Sequence, residues 1–164
     1  MNCDGDLQID NVLWESYLKR GRVALDMKMP SEAARMFEIA MQKTLSFGSD
    51  DWRTLNTQRE LAFSLVAAKE WIKAETTLTN LLHMLFSKFG ASSPEVLEAM
   101  RLLSTVYEQR MLYTDAAKMM KYVVAHHPHR HSDNADYHFV ERKFNALLSK
   151  ARKLDEDETV HWIG

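Results

Sequence analysis

Residues 93–124 of the chain read SPEVLEAMRLLSTVYEQRMLYTDAAKMMKYVV. Apolar side chains recur three or four positions apart in both halves of this stretch, which is the spacing of one face of an α-helix. Ser93 followed by Pro94 is a typical helix start, because a hydroxyl can cap the first turn and proline fits within that turn. The stretch therefore predicts two helices joined by a short turn, over about 94–110 and 114–126.

The same pattern occurs twice more upstream, at spacings of 41 and 42 positions. Three positions mark each copy: a small residue late in the first helix, an alanine early in the second, and a large apolar residue four positions later. They are Gly21, Ala33 and Phe37; Ala62, Ala74 and Leu78; and Ser104, Ala116 and Met120. A repeat of this length indicates stacked helix pairs, since one pair alone cannot bury its apolar face.

The ends of the repeats carry their own signals. Phe47-Gly48 recurs as Phe89-Gly90, 42 positions later, and glycine is the usual residue just beyond a helix C-terminus. Pro128 closes the third copy, and a further amphipathic stretch follows over 134–154. The sequence alternates nowhere at a period of two for long enough to predict a strand.

These residues resemble the tetratricopeptide repeat (TPR), with Leu103-Ser104 and Tyr107 as the best single match. The period of 42 and the Phe-Gly ending are similar to the kinesin-light-chain type of repeat, whose link resembles Phe89-Gly90, Pro94 and Val96. The resemblance implies an all-α fold, a right-handed α-solenoid of three TPR-type helix pairs plus a C-terminal capping helix. The repeat domain would span 11–154, with repeats at about 11–48, 51–90 and 94–128 and the cap at 134–154, between an acidic, flexible N-terminus (1–10) and an acidic tail (155–164).

Composition excludes several classes of function. The single cysteine, Cys3, favours a reducing compartment such as the cytoplasm, and no apolar run is long enough to cross a membrane. The five glycines form no phosphate-binding loop, and no residues are spaced as a catalytic set, so we expect neither an enzyme nor a cofactor. Setting aside the seven acids near the two ends leaves 16 acidic against 21 basic residues, too few positive charges for a nucleic-acid binder.

A row of cations is predicted on the first helices of the repeats. Arg59, Arg101 and Lys143 are 42 positions apart, so stacking would place them one layer from the next. Phe63 and Thr105, one turn later, and Arg22 in the first layer complete the predicted peptide-binding residues. Such a row would attract an acidic peptide into a concave groove. The more ordinary interpretation is a solvated face whose charges pair along their own helices, as Glu98 could with Arg101.

Two further segments carry unusual residues. Four histidines lie close together and are candidate metal ligands, although a loop without a ligand function is the simpler interpretation: His126, His127, His129 and His131. Near the end, Asp155–Glu158 precede Trp162. Kinesin-light-chain-like grooves bind acidic peptides that carry an aromatic residue, so this tail could occupy the groove of its own or a neighbouring molecule. The alternative is a frayed terminus.

The leading hypothesis is therefore an adaptor or scaffold that binds an acidic peptide or partner segment in a basic groove. The alternative is a structural subunit of a larger assembly, held through apolar outer surfaces of the stack. Ionic strength distinguishes the two, because salt weakens binding to an acidic peptide more than it weakens a hydrophobic interface.

Overall fold

In a computed structural model, residues 3–130 and 132–161 are described, and side chains are described for 7–130 and 132–154. Within these residues the chain forms seven helices and no strand. Their bounds are α1 (Cys3–Asp26), α2 (Pro30–Thr44), α3 (Trp52–Ala67), α4 (Trp71–Phe89), α5 (Pro94–Gln109), α6 (Tyr113–His126) and α7 (Ala135–His161). None of the described helices is both long and apolar enough to span a bilayer.

Two compact units share these helices, and the division falls within α4, after Met84. In the first unit, α2 packs against both α1 and α3. Its core is formed by side chains that are almost completely buried on all four helices: Trp14, Ala33, Phe37, Ala40, Ala62, Leu65, Ala74, Leu78 and Leu81. The helical spacing of these residues accounts for the packing, because it gathers them on the inner face of each helix.

In the second unit, α6 packs against α5 on one side and α7 on the other. Its buried side chains again follow helical spacing: Val96, Leu103, Val106, Ala116, Met120, Val123, Val140 and Leu147. Ser104, the small residue predicted at the close crossing of α5 and α6, is fully buried, and its Oγ donates a 2.9 Å hydrogen bond to the Ala116 carbonyl. This bond satisfies a hydroxyl that would otherwise be costly to bury.

The helix starts and stops follow from local chemistry. Asp51 caps α3 by accepting a hydrogen bond from the Arg53 amide, and Ser93 caps α5 by accepting one from the Val96 amide. Gly48 and Gly90, with φ of 96° and 80°, occupy the left-handed region that glycine adopts without a steric penalty.

The turn inside each helix pair has the same conformation in all three repeats. Lys28, Lys69 and Met111 have φ of 58°, 60° and 60°, and the following amide donates to the carbonyl five residues back. This is the Schellman arrangement, in which a left-handed residue ends the helix. Since none of the three is glycine, the turn has no glycine signal in the sequence.

Three features differ from the sequence-based expectation. Helix α1 begins at Cys3, so much of the segment expected to be a flexible N-terminus is helical, and Asp10 forms a 3.4 Å ion pair with Lys43. Helix α7 continues to His161, beyond the expected end at 154, while the side chains of the acidic tail, Trp162 among them, lie outside the described residues. Trp52 is 59% exposed, although the helical spacing of the apolar residues in the sequence predicts that this tryptophan packs between helices.

Candidate functional site

In the first unit, α1 and α3 form a shared surface with a shallow pocket of about 400 Å³, which we call the α1–α3 face. The pocket combines apolar, amide and charged side chains. It is lined by Trp14, Glu15, Leu18, Lys19, Arg22, Val23, Asp26, Trp52 and Asn56.

Two tryptophans form one wall of this pocket, with opposite degrees of burial. Trp14 is only 3% exposed, and its indole Nε1–H donates a 2.8 Å hydrogen bond to Thr57 Oγ1. The rings of Trp52 and Trp14 meet edge to face, with centroids 5.5 Å apart, and Phe47 packs on Trp14 in the same geometry at 6.4 Å. Because Trp14 is fixed by its hydrogen bond and by these rings, Trp52 is supported from behind while its outer surface faces solvent.

Charged side chains lie on the same face. Arg22 donates from Nε and Nη2 to Glu60 Oε1, at 3.0 and 2.9 Å, and so links α1 to α3. Arg59 is exposed, and its guanidinium carbon lies 6.0 Å from the centre of the Phe63 ring. Among residues 7–130 and 132–154, no carboxylate forms an ion pair with Arg59. Arg22 and Arg59 are the two predicted cations in this unit. Since Arg22 is paired with Glu60, Arg59 is the one available to a carboxylate of a bound ligand.

In the second unit, the predicted cations are held by the chain's own acids. Arg101 Nη2 lies 2.7 Å from Asp136 Oδ1, and Lys143 Nζ lies 3.6 Å from Glu108 Oε2 and 3.4 Å from Thr105 Oγ1. Glu108 also accepts a 2.6 Å bond from Lys150. These bonds join α5 to α7, whereas the more ordinary interpretation of the cation row expected pairing along each helix, as between Glu98 and Arg101.

Both acids of this network are stabilised in their charged form. The hydrogen bond from His127 and then that from Arg101 lower the pKa of Asp136. The hydrogen bond from Lys150 lowers the pKa of Glu108 more than partial burial raises it. The neutral tautomer of His127 fits its two contacts, since Nε2 lies 2.9 Å from Asp136 Oδ2 and Nδ1 accepts from the His129 amide at 3.2 Å.

A pH dependence of stability follows from Asp136. A lowered folded-state pKa stabilises the fold at pH values above the ordinary carboxyl value of 3.8, and this contribution disappears as the pH falls through the folded-state value. We expect Asp136→Asn to lower the free energy of unfolding by up to about 1 kcal/mol at neutral pH, because solvent screens the partly exposed Arg101–Asp136 pair. Urea titrations should show this difference shrinking below pH 3.8. An equally large effect of Asp50→Asn, in the exposed turn before α3, would contradict the assignment.

The histidine-rich segment begins at the last residue of α6, and its described rings contact neighbours within the chain. His126 stacks on Tyr122, with ring centroids 4.0 Å apart, and its Nδ1 lies 2.9 Å from the Tyr122 carbonyl. His127 bonds to Asp136 as described above, and His131 lies outside the described residues. Across the described part of the chain, no group of three or more His, Cys, Asp or Glu side chains is arranged to hold a metal ion. The metal hypothesis therefore finds no support there.

Sequence reasoning missed the exposed aromatic centre of the α1–α3 face. Trp52 and Asn56 lie one turn apart and, with Arg59 and Phe63 further along α3, share one helix face. Their three- and four-residue spacing is visible in the sequence. However, the apolar face toward the core has the same spacing, so periodicity alone could not assign Trp52 to the surface.

Comparisons with known proteins identify the fold. No protein-family model matches the sequence, and no curated protein matches it significantly. The crystal structure of BtubC (BKLC) from P. vanneervenii is similar with a TM-score of 0.75 and 18% identity, covering 92% of this chain and 61% of that one. A protein from Podosopora anserina with nearly identical, kinesin-light-chain TPR-like repeats is similar with a TM-score of 0.70 and 16% identity, covering 87% of this chain and 68% of that one.

This chain thus spans 61% of the length of BtubC and 68% of the length of the Podosopora anserina protein. At identities of 16–18% the likeness concerns the fold. The all-α architecture and the repeat period of 41 to 42 positions agree with it. The chain has the TPR-like helical-repeat fold seen in kinesin-light-chain-like repeats.

Proposed function

We propose that the chain is a protein-interaction module that binds a peptide segment of a partner on its α1–α3 face. The observation that carries the proposal is Trp52, a large aromatic side chain that is 59% exposed beside a pocket of about 400 Å³. Exposed tryptophan on a rigid support is the residue type most often found at the energetic centre of protein interfaces. Repeat folds of this kind serve many partners, so the argument depends on this site and not on the fold.

The chemistry of the face defines the peptide. An aromatic or large aliphatic side chain fits against Trp52, Leu18 and Val23 in the pocket. A carboxylate near it would meet Arg59 further along the same face of α3, and Arg22 if it displaced Glu60. We therefore propose a peptide in which an apolar anchor lies near Asp or Glu. Its binding would weaken as salt screens the charge contacts.

The cations of the second unit have a lesser part in this proposal. An acidic peptide can engage Arg101 only in competition with Asp136, and Lys143 only in competition with Glu108 and Thr105. Replacing a carboxylate of the chain by a carboxylate of the peptide contributes little net free energy to binding. We propose Arg101, Thr105 and Lys143 only as weaker contacts for an acidic segment that binds the second unit by itself. We also propose a cytosolic location, because the single cysteine requires no oxidising compartment.

Selection from a peptide library displayed on phage tests the proposal. We expect the wild-type protein to enrich peptides in which an aromatic or large aliphatic residue lies near Asp or Glu. Trp52→Ala should weaken the binding of a selected synthetic peptide by about thirtyfold or more, the loss typical of a central interface residue. Arg59→Glu should weaken it by a smaller factor, and more at low salt than at high salt. Fluorescence anisotropy measures both effects.

Two matched variants serve as controls. Ile72→Ala removes a side chain that is 72% exposed on α4, away from the α1–α3 face, and Arg35→Glu reverses an exposed charge on α2. Both should bind the selected peptide as the wild type does. The proposal fails if no peptide is enriched, or if Trp52→Ala and Ile72→Ala affect binding equally.

A structural role in a larger assembly is the second candidate, and one observation favours it. An apolar pocket of about 410 Å³ lies at the turn between α1 and α2, where Val23, Met27 and Met29 are exposed beside Met36. Methionine-rich surfaces adapt to varied partners. A partner held there would stay bound at high salt and be released by Met27→Glu, whereas peptide binding at Trp52 would show the opposite responses.

A further inference from the structure

Another pocket of the first unit lies at the end of α2 and shares no lining residue with the pocket of the α1–α3 face. Its volume is about 340 Å³, and α2, the turn after it, α3 and α4 border it. Among the described residues, its lining includes no Lys, Arg, Asp or Glu. The lining residues all belong to the first unit, and they are Met41, Thr44, Leu45, Gly48, Ser49, Thr54, Gln58, Asn80, His83 and Met84.

A buried amide presents an unpaired oxygen to this pocket. Gln58 is only 6% exposed, and its Nε2 donates a 3.2 Å hydrogen bond to the Thr77 carbonyl. Within the described part of the chain, Oε1 of Gln58 accepts no hydrogen bond, yet no fully enclosed side-chain oxygen or nitrogen there lacks a partner. Oε1 is therefore accessible, and the space that reaches it is the pocket that Gln58 lines. Since buried carbonyl oxygens are nearly always paired, a ligand with a hydrogen-bond donor would complete this one.

Two threonine hydroxyls add further acceptors to the same wall. Thr44 is 1% exposed, and its Oγ1 donates a 2.8 Å hydrogen bond to the Met41 carbonyl. Thr54 is 7% exposed, and its Oγ1 donates a 2.8 Å bond to the Gly48 carbonyl. Because each hydroxyl hydrogen is directed to a backbone carbonyl, the lone pairs of the oxygen remain to accept. The buried polar groups of this wall thus favour a ligand that donates hydrogen bonds.

The end of α2 favours a positive charge in the pocket. Thr44 is the last residue of α2, and a helix C-terminus carries the partial negative charge of its free carbonyl groups. Lys43, the basic residue in the last turn, forms a 3.4 Å ion pair with Asp10 and does not line the pocket. Met41 and Met84 add polarizable apolar surface. A ligand with a positive charge and an apolar body fits these surroundings.

We infer that this pocket binds a primary ammonium group carried on a short apolar chain. Such a group has three N–H donors and no acceptor, so it matches Oε1 of Gln58 and the hydroxyl oxygens of Thr44 and Thr54. Its apolar chain packs against Met41 and Met84. Small alkylamines and lysine side chains share this chemistry. The inference does not depend on peptide binding at the α1–α3 face, because the two pockets have no lining residue in common.

NMR spectra of the full chain with ¹³C-labelled methionine methyl groups test the inference, with n-butylammonium as the probe. The probe should shift the methyl signals of Met41 and Met84 in a saturable manner. It should leave Met111, an exposed methionine of the second unit, unchanged. Three analogues isolate the cause: n-butanol lacks the charge, butyrate reverses it, and n-butyltrimethylammonium lacks the N–H donors. Each should bind at least about tenfold more weakly than n-butylammonium.

Two variants at the rim of the pocket have opposite expected effects. Asn80 is exposed on α4, so both variants should fold, which circular dichroism checks. Asn80→Lys supplies a competing cation and should weaken the binding of n-butylammonium by about threefold or more, whereas Asn80→Asp should strengthen it by a similar factor. Ile72→Lys is the matched control, because it adds the same charge at an exposed position about 12 Å away along α4.

Three results would overturn the inference. They are the absence of shifts at Met41 and Met84, equal binding of n-butanol and n-butylammonium, and equal effects of Asn80→Lys and Ile72→Lys. Where n-butylammonium binds as expected, titration with the N-methylamide of Nα-acetyl-lysine distinguishes the two sources of the ammonium group. Its binding assigns the pocket to lysine side chains, and its failure to bind assigns the pocket to free alkylamines.

Discussion

Gly21→Val is expected to destabilise the first unit by about 3 kcal/mol or more, which is a large part of the stability of a small domain. A Cβ atom built on Gly21 would lie 2.5 Å from Cε1 and 2.7 Å from Cζ of Phe37. The Phe37 ring is completely buried in the crossing of α1 and α2, so it cannot move aside without disturbing its neighbours. Urea unfolding, followed by far-ultraviolet circular dichroism, measures the loss.

A double-mutant cycle shows whether this clash is the cause. Gly21→Ala should destabilise the wild type, because overpacking outweighs the gain of about 1 kcal/mol from replacing a helical glycine. In the Phe37→Leu background the same change should be neutral or stabilising, since the two ring atoms nearest to the added Cβ are gone. The control is Ala146→Gly, at an exposed position inside α7, which measures the difference in helix propensity between alanine and glycine alone. Additive effects of the two changes would refute the explanation.

Trp14→Ala is expected to cost about 3–5 kcal/mol of unfolding free energy, the range for removing a buried tryptophan. The variant loses a side chain that is only 3% exposed, its edge-to-face contacts with Phe47 and Trp52, and the hydrogen bond to Thr57. Trp14→Phe should cost less, because part of the packing remains. A cycle with Thr57→Val isolates the hydrogen bond, whose net contribution is about 1 kcal/mol.

The comparison with Trp52→Ala separates the two tryptophans. Trp52 is largely exposed, so its removal should cost about 1 kcal/mol or less in stability while abolishing most peptide binding. Equal losses of stability in Trp14→Ala and Trp52→Ala would show that Trp52 is a packing residue, and the proposed site would lose its central feature.

Much of the fold follows from the sequence because the signals are local. The spacing of apolar residues and the small residues at Gly21, Ala62 and Ser104 predict the helix pairs, and all three small residues are buried in the structure. Ser93 and Gly90 mark a helix start and a stop where the sequence places them. The sequence did not predict the Schellman turns at Lys28, Lys69 and Met111, since a left-handed residue other than glycine has no compositional signal.

The sequence predicted less of the candidate site than of the fold, because it does not show which charged side chains form ion pairs. The register placed Arg59, Arg101 and Lys143 at equivalent positions, but equivalent positions need not have equivalent neighbours. Asp136 and Glu108 hold two of these cations, while Arg59 has no carboxylate partner among the described residues. An ion pair depends on atoms within 4 Å, and in these pairs the partner residues lie 35 positions apart along the chain.

Periodicity thus determines which residues form helices and which face of each helix is apolar, because neighbouring residues along the chain produce both. It does not determine which apolar residue remains exposed or which charge remains unpaired. Trp14 and Trp52 illustrate this limit, because both are tryptophans at helical spacing. Contacts with Phe47 and Thr57 help to bury Trp14, whereas Trp52 is 59% exposed. Those contacts join residues that lie more than 30 positions apart, and they exist only once the helices have packed.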